Sequence, residues 1–321
     1  MTTNSKVLLT GGTGLVGGTL LEKLPMTTNV VGRSQPSRAC RFFKGDLVDN
    51  PDYFEALSDV DVVVHCAARV HVMRDESDEP LEEFRKVNTV ATLNLARQAS
   101  IFGVKRFIFV SSIKVNGEST NIGNPFTAVS PRAPKDWYGA SKAEAEELLL
   151  KFGHDVGMEV VIIRPTLVYG PGAKANFASL MNLVSKGTPL PFGCITNNKR
   201  SLVSVDNLVD LIITCIDHPN AANQVFLVSD DHDLSTSEMV RHMAKALGKP
   251  TWQLPVPVWC YKLAGKVFNK VDVVDRLTGS LQVDISHTKE TLGWAPPQSL
   301  QEGFKQTAEA FLQSKKSSGK A

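Results

Sequence analysis

The segment Thr10-Gly11-Gly12-Thr13-Gly14-Leu15-Val16-Gly17 follows the apolar run Val7-Leu8-Leu9 and opens a helical pattern. A glycine-rich turn between a strand and a helix lets backbone approach a dinucleotide pyrophosphate, and the helix N-terminus favours its negative charge. The spacing Gly-x-x-Gly-x-x-Gly also serves plain packing, so the turn alone leaves both readings open.

Through residue 165 or so, short apolar runs alternate with amphipathic segments, which predicts a parallel sheet covered on both faces. Strands are expected at Lys6–Thr10, Asn29–Val31, Arg41–Lys44, Asp61–His65, Arg106–Val110 and Glu159–Ile163. Helices are expected near Leu15–Leu24, Pro51–Leu57, Pro80–Phe102 and Tyr138–Phe152, with Gly103 and Gly157 at helix stops. After Pro165 the texture changes. Glycine and proline become dense at Tyr169-Gly170-Pro171-Gly172 and Gly187-Thr188-Pro189-Leu190-Pro191. Short strands (Leu202–Val205, Gln224–Val228) then mix with helices at Asn207–Asp217, Ser237–Leu247 and Leu300–Leu312. The fold expected is α/β: a Rossmann-type doubly wound parallel sheet with a smaller C-terminal α/β lobe. Residues 1–168 form the dinucleotide-binding domain, 169–314 the substrate lobe, with some exchange of chain between them, and 315–321 a flexible tail.

The 35 basic and 33 acidic residues leave a net charge of +2, so no overall field argues for nucleic acid or a membrane surface. No apolar run approaches the roughly 20 residues that span a bilayer, and Met1–Lys6 carries no signal-peptide core. The five cysteines (Cys40, Cys66, Cys194, Cys215, Cys260) form no Cys-x-x-Cys pair, which supports neither a disulfide framework nor a metal site. A cytoplasmic enzyme with reduced thiols is the simple reading.

Tyr138 and Lys142, in Tyr138-Gly139-Ala140-Ser141-Lys142, are four residues apart and share a helix face. There the ammonium can lower the phenol's pKa toward the working range of a proton carrier. Ser112, at the end of the fifth strand, can bond a substrate hydroxyl. Ser112 orients, Tyr138 moves the proton and Lys142 tunes it. At the end of the second strand, where NAD enzymes carry an acidic ribose reader, this chain has Gly32-Arg33-Ser34. Arg33 can bond a 2′-phosphate, so the cofactor expected is NAD(P)(H), with NADP(H) slightly favoured. Asp46, ending the third strand with Leu47 behind it, offers either an adenine contact or a turn cap. The small residues Ala67 and Ala68 let backbone pass close to the cofactor, and His65 reads as structural.

These features together resemble the extended short-chain dehydrogenase/reductases of the nucleotide-sugar epimerase/dehydratase type. The resemblance runs from Thr10-Gly11-x-x-Gly14-x-x-Gly17 through His65-x-Ala67-Ala68, Asn88, Ser111-Ser112, Tyr138-x-x-x-Lys142, Arg164-Pro165 and Tyr169-Gly170-Pro171-Gly172 to Leu292-Gly293-Trp294. It implies a cofactor site made of Gly11, Thr13, Gly14, Leu15, Val16, Gly17, Arg33, Asp46, Leu47, Ala67, Ala68, Asn88, Tyr138, Lys142 and Pro165. It also implies a UDP-sugar substrate held by Ser112, Tyr138, Asn176, Arg200 and Arg276, with His71, Met73, Arg74 and Lys114 as further sugar-pocket candidates. Pairing into a homodimer through two helices is common in the family.

Val70–Asp75 and Ser112–Gly117 resemble a bacterial subgroup labelled UDP-glucose 4-epimerase, whose members also act as 4-ketoreductases forming UDP-N-acetylquinovosamine for surface polysaccharide. Asn116 stands where the usual motif has tyrosine, and Ala91 where it has glycine. The missing acidic ribose reader favours an exchangeable cofactor. The activity expected is therefore reduction of a UDP-4-keto-6-deoxy-N-acetylhexosamine. The alternative is a UDP-hexose or UDP-N-acetylhexosamine 4-epimerase with retained NAD, and a catalytically idle nucleotide-binding regulator is a remote third.

Overall fold

The computed structural model describes residues 3, 5–49, 51–70, 79–173, 175–317 and 319. Among the described residues ten strands are formed: β1 (Val7–Thr10), β2 (Asn29–Gly32), β3 (Arg41–Lys44), β4 (Val62–His65), β5 (Arg106–Val110), β6 (Glu159–Pro165), β7 (Leu167–Tyr169), β8 (Arg200–Ser204), β9 (Val225–Val228) and β10 (Asp233–Leu234). Seven of them make one parallel sheet in the order β3-β2-β1-β4-β5-β6-β9. The order reverses between β1 and β4, and open α/β sheets bind ligands at such a switch point, beyond the carboxyl ends of the strands.

The helices are α1 (Leu15–Lys23), α2 (Phe54–Leu57), α3 (Pro80–Arg85), α4 (Ala91–Ile101), α5 (Trp137–Val156), α6 (Ala175–Ser185), α7 (Val205–Asp217), α8 (Thr236–Ala246), α9 (Val258–Val267), α10 (Val271–Thr278), α11 (Ser286–Leu292) and α12 (Leu300–Ser317). Successive strand residues point to opposite faces of the sheet, and both faces are packed. Val7, Leu9, Val62, Val64, Ile108 and Val110 join α1 and α7 in one core. Leu8, Val63, Phe107 and Phe109 join α4 and α5 in the other. A third core, with Tyr169, Phe177, Met181 and Phe304, fills the lobe built on the small sheet β10-β8-β7.

Three elements differ from the sequence expectation. The helix expected over Pro80–Phe102 is interrupted by a π turn at Lys86–Val90, which places Asn88. The helix expected over Pro51–Leu57 is only the four residues of α2. The strand expected at Gln224–Val228 pairs with β6 and completes the large sheet, because its alternate residues Phe226 and Val228 are buried in that sheet's core. Among the described residues no helix is long and apolar enough to cross a membrane.

Candidate active site

The glycine turn lies at the switch point. Gly11 has φ +75°, and a Cβ there would stand 2.7 Å from the Ala67 amide nitrogen, so only glycine lets the turn lie against the end of β4. A Cβ on Gly17 would stand 2.3 Å from the Gly11 carbonyl oxygen, so α1 can approach its own turn only through glycine. Gly14 differs. Its amide donates to the Gly11 carbonyl at 2.9 Å, and an added Cβ would meet that oxygen alone, at 3.3 Å. Thr13 and Gly14 are exposed, whereas Leu15 and Val16 pack against the core. Gly14 caps α1 without a side-chain bond, so first-turn N–H groups are left without an internal partner. Open space over Gly14 and these donors suit a dinucleotide pyrophosphate.

Toward the end of β2, Arg33 and Ser34 are exposed, and Arg33 has no hydrogen-bond or ion-pair partner among the described residues. A cleft of about 390 Å³ opens between Gly12 and Thr13 on one side and Gln35, Ser37 and Arg38 on the other. Asp46 accepts the Val48 amide at 3.2 Å, the turn-capping arrangement, and Leu47 begins the short helical turn that follows. The Asn88 side chain is fully buried and bonded within the protein. Its carbonyl accepts the Arg69 amide at 2.9 Å, and its NH₂ donates to the Arg69 carbonyl and to Ser141 Oγ, each at 3.0 Å.

His65 is structural in a specific way. Thr92 Oγ1 donates its proton to the Asn88 carbonyl at 2.8 Å, so it can only accept from His65 Nε2 at 2.9 Å. In the neutral ring His65 Nδ1 then accepts from Thr10 Oγ1 at 2.7 Å, and Thr10 Oγ1 in turn accepts the Ala67 amide at 3.3 Å. The ring is neutral because burial, with Lys142 nearby, pushes its pKa down to about 3. The chain of bonds ties the glycine turn to Ala67 and to the π turn.

Ser112 follows β5 and caps a short helical turn, its Oγ accepting the Lys114 amide at 3.3 Å. Asp136 caps α5 by accepting the Gly139 amide at 2.7 Å, and Gly139 packs on the Lys114 carbonyl. That contact places the first turn of α5, with Tyr138, beside the Ser112 turn, and the Ser112 side chain interacts with the Tyr138 hydroxyl. One turn on, Lys142 is buried; its Nζ donates to the Val110 carbonyl at 2.9 Å and lies 4.2 Å from the centre of the Phe109 ring. The expected lowering of the phenol by Lys142 is corrected here. Burial raises Tyr138 to about 12, against the opposing effect of Ser112, and Lys142 is not among the groups acting on it. Burial also brings Lys142 down to about 7, opposed by Cys66 and Glu146.

Beneath these residues lies a charged cluster that the sequence reading did not single out. Glu146, one turn beyond Lys142 on α5, is wholly buried. Arg164 of β6 donates to it from Nε at 2.9 Å and from NH2 at 2.5 Å, Arg132 donates from Nε at 3.2 Å, and Ser111 Oγ donates at 2.6 Å. Arg164 also donates to Asn116 Oδ1 at 3.1 Å, so the asparagine in the tyrosine's place serves this cluster. The spacing of Glu146 from Tyr138 and Lys142 was the available signal: three residues at i, i+4 and i+8 share one face.

In the second lobe, Arg200 and Arg276 come together. Arg200 NH1 donates to the Arg276 carbonyl at 2.9 Å, and burial, with the Arg276 guanidinium nearby, holds Arg200 below its ordinary value. Neither forms an ion pair with a described residue, so the two cations suit a diphosphate. Pro165 is buried opposite Val228 at the end of β6. Lys114 is paired with Asp136 and Glu118. Asn176 falls in the first turn of α6, but its side chain, like His71, Met73 and Arg74, lies outside the described residues.

The chain is 64% identical to a UDP-glucose 4-epimerase of Vibrio cholerae over 96% of its own length and 95% of the relative's. It is 29% identical, over 98% and 97%, to the N-acetyl-alpha-D-glucosaminyl-diphospho-ditrans,octacis-undecaprenol 4-epimerase of Escherichia coli O157:H7. Among solved structures, the fold is shared with the UDP-glucose 4-epimerase of Thermotoga maritima bound to UDP-glucose, with a TM-score of 0.77, 23% identity and coverage of 96% and 99%. It is shared as well with RMD of Pseudomonas aeruginosa bound to NADPH, at 0.71, 19%, 96% and 99%. The family model for the NAD dependent epimerase/dehydratase family matches residues 7–229, so the chain is an enzyme of that family.

Proposed function

We propose that the protein is a cytoplasmic UDP-hexose 4-epimerase that keeps its NAD between half-reactions. The observation that carries this reading is the 64% identity to a UDP-glucose 4-epimerase along almost the whole of both chains. It displaces the 4-ketoreductase expected from the sequence, which rested on the end of β2. The five free cysteines support a reducing compartment.

Residues 1–168 hold the dinucleotide, through the glycine turn and the backbone at Ala67 and Ala68, and residues 169–314 hold the UDP-sugar, with Arg200 and Arg276 on its diphosphate. When bound, the nicotinamide supplies the acceptor and donor of hydride at C4. Tyr138 takes the proton of the C4 hydroxyl and returns it, and Ser112 bonds the same oxygen to fix its direction. A phenol raised to about 12 is neutral at ordinary pH, the form that returns the proton. For the forward step the phenol has to be ionised, and the positive charge of an oxidised nicotinamide, when bound, would lower its pKa. Lys142 orients the nicotinamide ribose.

The test is to purify the protein, release bound nucleotide with acid and identify it. The protein is then given UDP-glucose or UDP-N-acetylglucosamine without added cofactor, and UDP-4-keto-6-deoxy-N-acetylglucosamine with NADPH. Released NAD and interconversion of C4 epimers without cofactor are expected. Stoichiometric oxidation of NADPH by the keto sugar, with no epimerisation, would replace this reading by the reductase. The one structural feature favouring that second reading is the unpartnered Arg33 at the ribose end of the site.

A further inference from the structure

We propose that the outward face of the α9–α10 hairpin docks the protein on an anionic phospholipid surface. In α9, Val258 and Tyr261 pack toward the core of the smaller lobe. Gly265 is buried against α10, where a Cβ would stand 2.8 Å from Val274 Cγ2. The opposite face is thereby turned away from the protein. It carries Trp259, Leu263 and Val267 at i, i+4 and i+8, with 65%, 57% and 70% of their surface exposed, and Phe268 follows at 72%. Trp252 and Leu254, on the segment leading into the helix, are exposed as well. Single exposed apolar residues need no explanation, but an aligned row that begins with a tryptophan, with a second exposed tryptophan on the segment before it, does.

The charges around the row select its occupant. Lys262 and Lys266 lie on the same exposed half of α9, Lys270 joins the two helices, and none of the three forms an ion pair with a described residue. No acidic residue lies on α9; α10 carries Asp272 and Asp275, so the positive charge of this face belongs to α9 and to Lys270. Lysine is depleted at the centres of protein interfaces. Lysines interleaved with Trp, Leu and Phe are what an anionic bilayer surface accepts, since the aliphatic stems follow the apolar row while the ammonium groups stay at the headgroups. The near-neutral charge of the whole chain conceals this face, because it is local to one helix.

Sedimentation with vesicles tests the proposal. The wild-type protein should sediment with phosphatidylglycerol/phosphatidylethanolamine vesicles and stay in solution with phosphatidylcholine vesicles. Trp259→Ser/Leu263→Ser, or Lys262→Glu/Lys266→Glu, should weaken apparent lipid affinity about tenfold or more, with turnover of a soluble UDP-sugar unchanged. Acyl chains carrying bromine should quench wild-type tryptophan emission, and quench it less in Trp259→Phe, a readout that does not depend on the disruptive variants folding. Absence of sedimentation with the anionic vesicles would overturn the proposal, as would equal binding to phosphatidylcholine. So would a dimer in solution that Trp259→Ser/Leu263→Ser converts to a monomer, since a second copy would then cover the row.

Discussion

The Ser111 hydroxyl donates to Glu146 Oε1 at 2.6 Å, so the residue preceding Ser112 is tied to the helix that carries Tyr138 and Lys142. The same carboxylate receives Arg164 from β6, and one wholly buried charge therefore fixes α5 against β5 and β6 together. A buried ion pair gains little over apolar packing, yet removing one member strands the other.

Arg164→Met should therefore lower unfolding free energy by about 3–5 kcal/mol, read from urea denaturation. The isosteric Glu146→Gln keeps the side-chain size but loses the charge, and its NH₂ replaces one of the two oxygens that accept from Arg164, Arg132 and Ser111. Its effect should fall mainly on turnover rather than on substrate KM, because Ser111 and Lys142 shift while Arg200 and Arg276 do not. A Glu146→Gln variant as stable and as active as wild type would show that Asn116 and solvent satisfy Arg164.

Tyr138→Phe keeps the ring and its edge contact with Phe84, 6.4 Å between centroids, and removes only the proton carrier. Turnover should drop by about 10² to 10⁴-fold, with nucleotide binding retained in a titration of the purified protein. Activity within a few-fold of wild type would take Tyr138 out of the mechanism.

Lys142 makes stability depend on pH. Its folded value of about 7 is below the unfolded 10.5, so between those values the unfolded chain binds the additional proton. Stability from this group thus rises as pH climbs above about 7 and is lowest below it. Between about pH 7 and 9, before Tyr138 and Cys66 ionise, the slope should reach up to about 1.4 kcal/mol per pH unit in the protein free of nucleotide. Lys142→Met should flatten it. Parallel denaturation series at several pH values would show this, and equal slopes would place the Lys142 transition elsewhere.

The large sheet could be read in the sequence because its strands are short, nearly continuous runs of β-branched and aromatic residues, such as Val62-Val63-Val64, punctuated by glycine turns. Ser112, Tyr138 and Lys142 were found by residue type and spacing. Glu146 was not, since in Ala145-Glu146-Glu147 it has the look of an ordinary solvent-facing helix residue, and only the contacts of Arg164 and Ser111 distinguish it from its exposed neighbour. The partnership of Asn116 with Arg164 and of His65 with two threonines depends on side chains far apart in the chain. Neither leaves a local pattern. The outer row of α9 was likewise invisible, because which half of a short helix faces the core is decided by Val274 meeting Gly265.

Arg33 separates the two cofactors. If its guanidinium reads a 2′-phosphate, Arg33→Ala should weaken NADPH binding by about 1.5–3 kcal/mol and leave NADH within about twofold, or 0.4 kcal/mol. Fluorescence titration of nucleotide-free protein measures both. Equal losses would return Arg33 to the role of a solvent-facing loop residue.

Gly14 and Gly17 should fail in different ways when given the same methyl group. At Gly17 the methyl carbon meets a backbone oxygen at 2.3 Å, and α1 can yield only by moving off the turn. Overpacking of that kind costs about 1–3 kcal/mol, so Gly17→Ala should lower the melting temperature and, through the displaced turn, nucleotide affinity as well. At Gly14 the backbone, with φ −82°, is acceptable to alanine, and the closest atom is 3.3 Å away. Gly14→Ala should therefore cost about 1 kcal/mol or less in stability, while the methyl occupies the space a pyrophosphate needs. Nucleotide affinity should fall by about tenfold or more, equivalent to 1.4 kcal/mol. Melting curves recorded with and without NAD distinguish the two: without nucleotide Gly14→Ala should melt closer to wild type than Gly17→Ala does, and it should lose the upward shift that nucleotide confers. A full shift in Gly14→Ala would mean that the pyrophosphate does not pass over this residue.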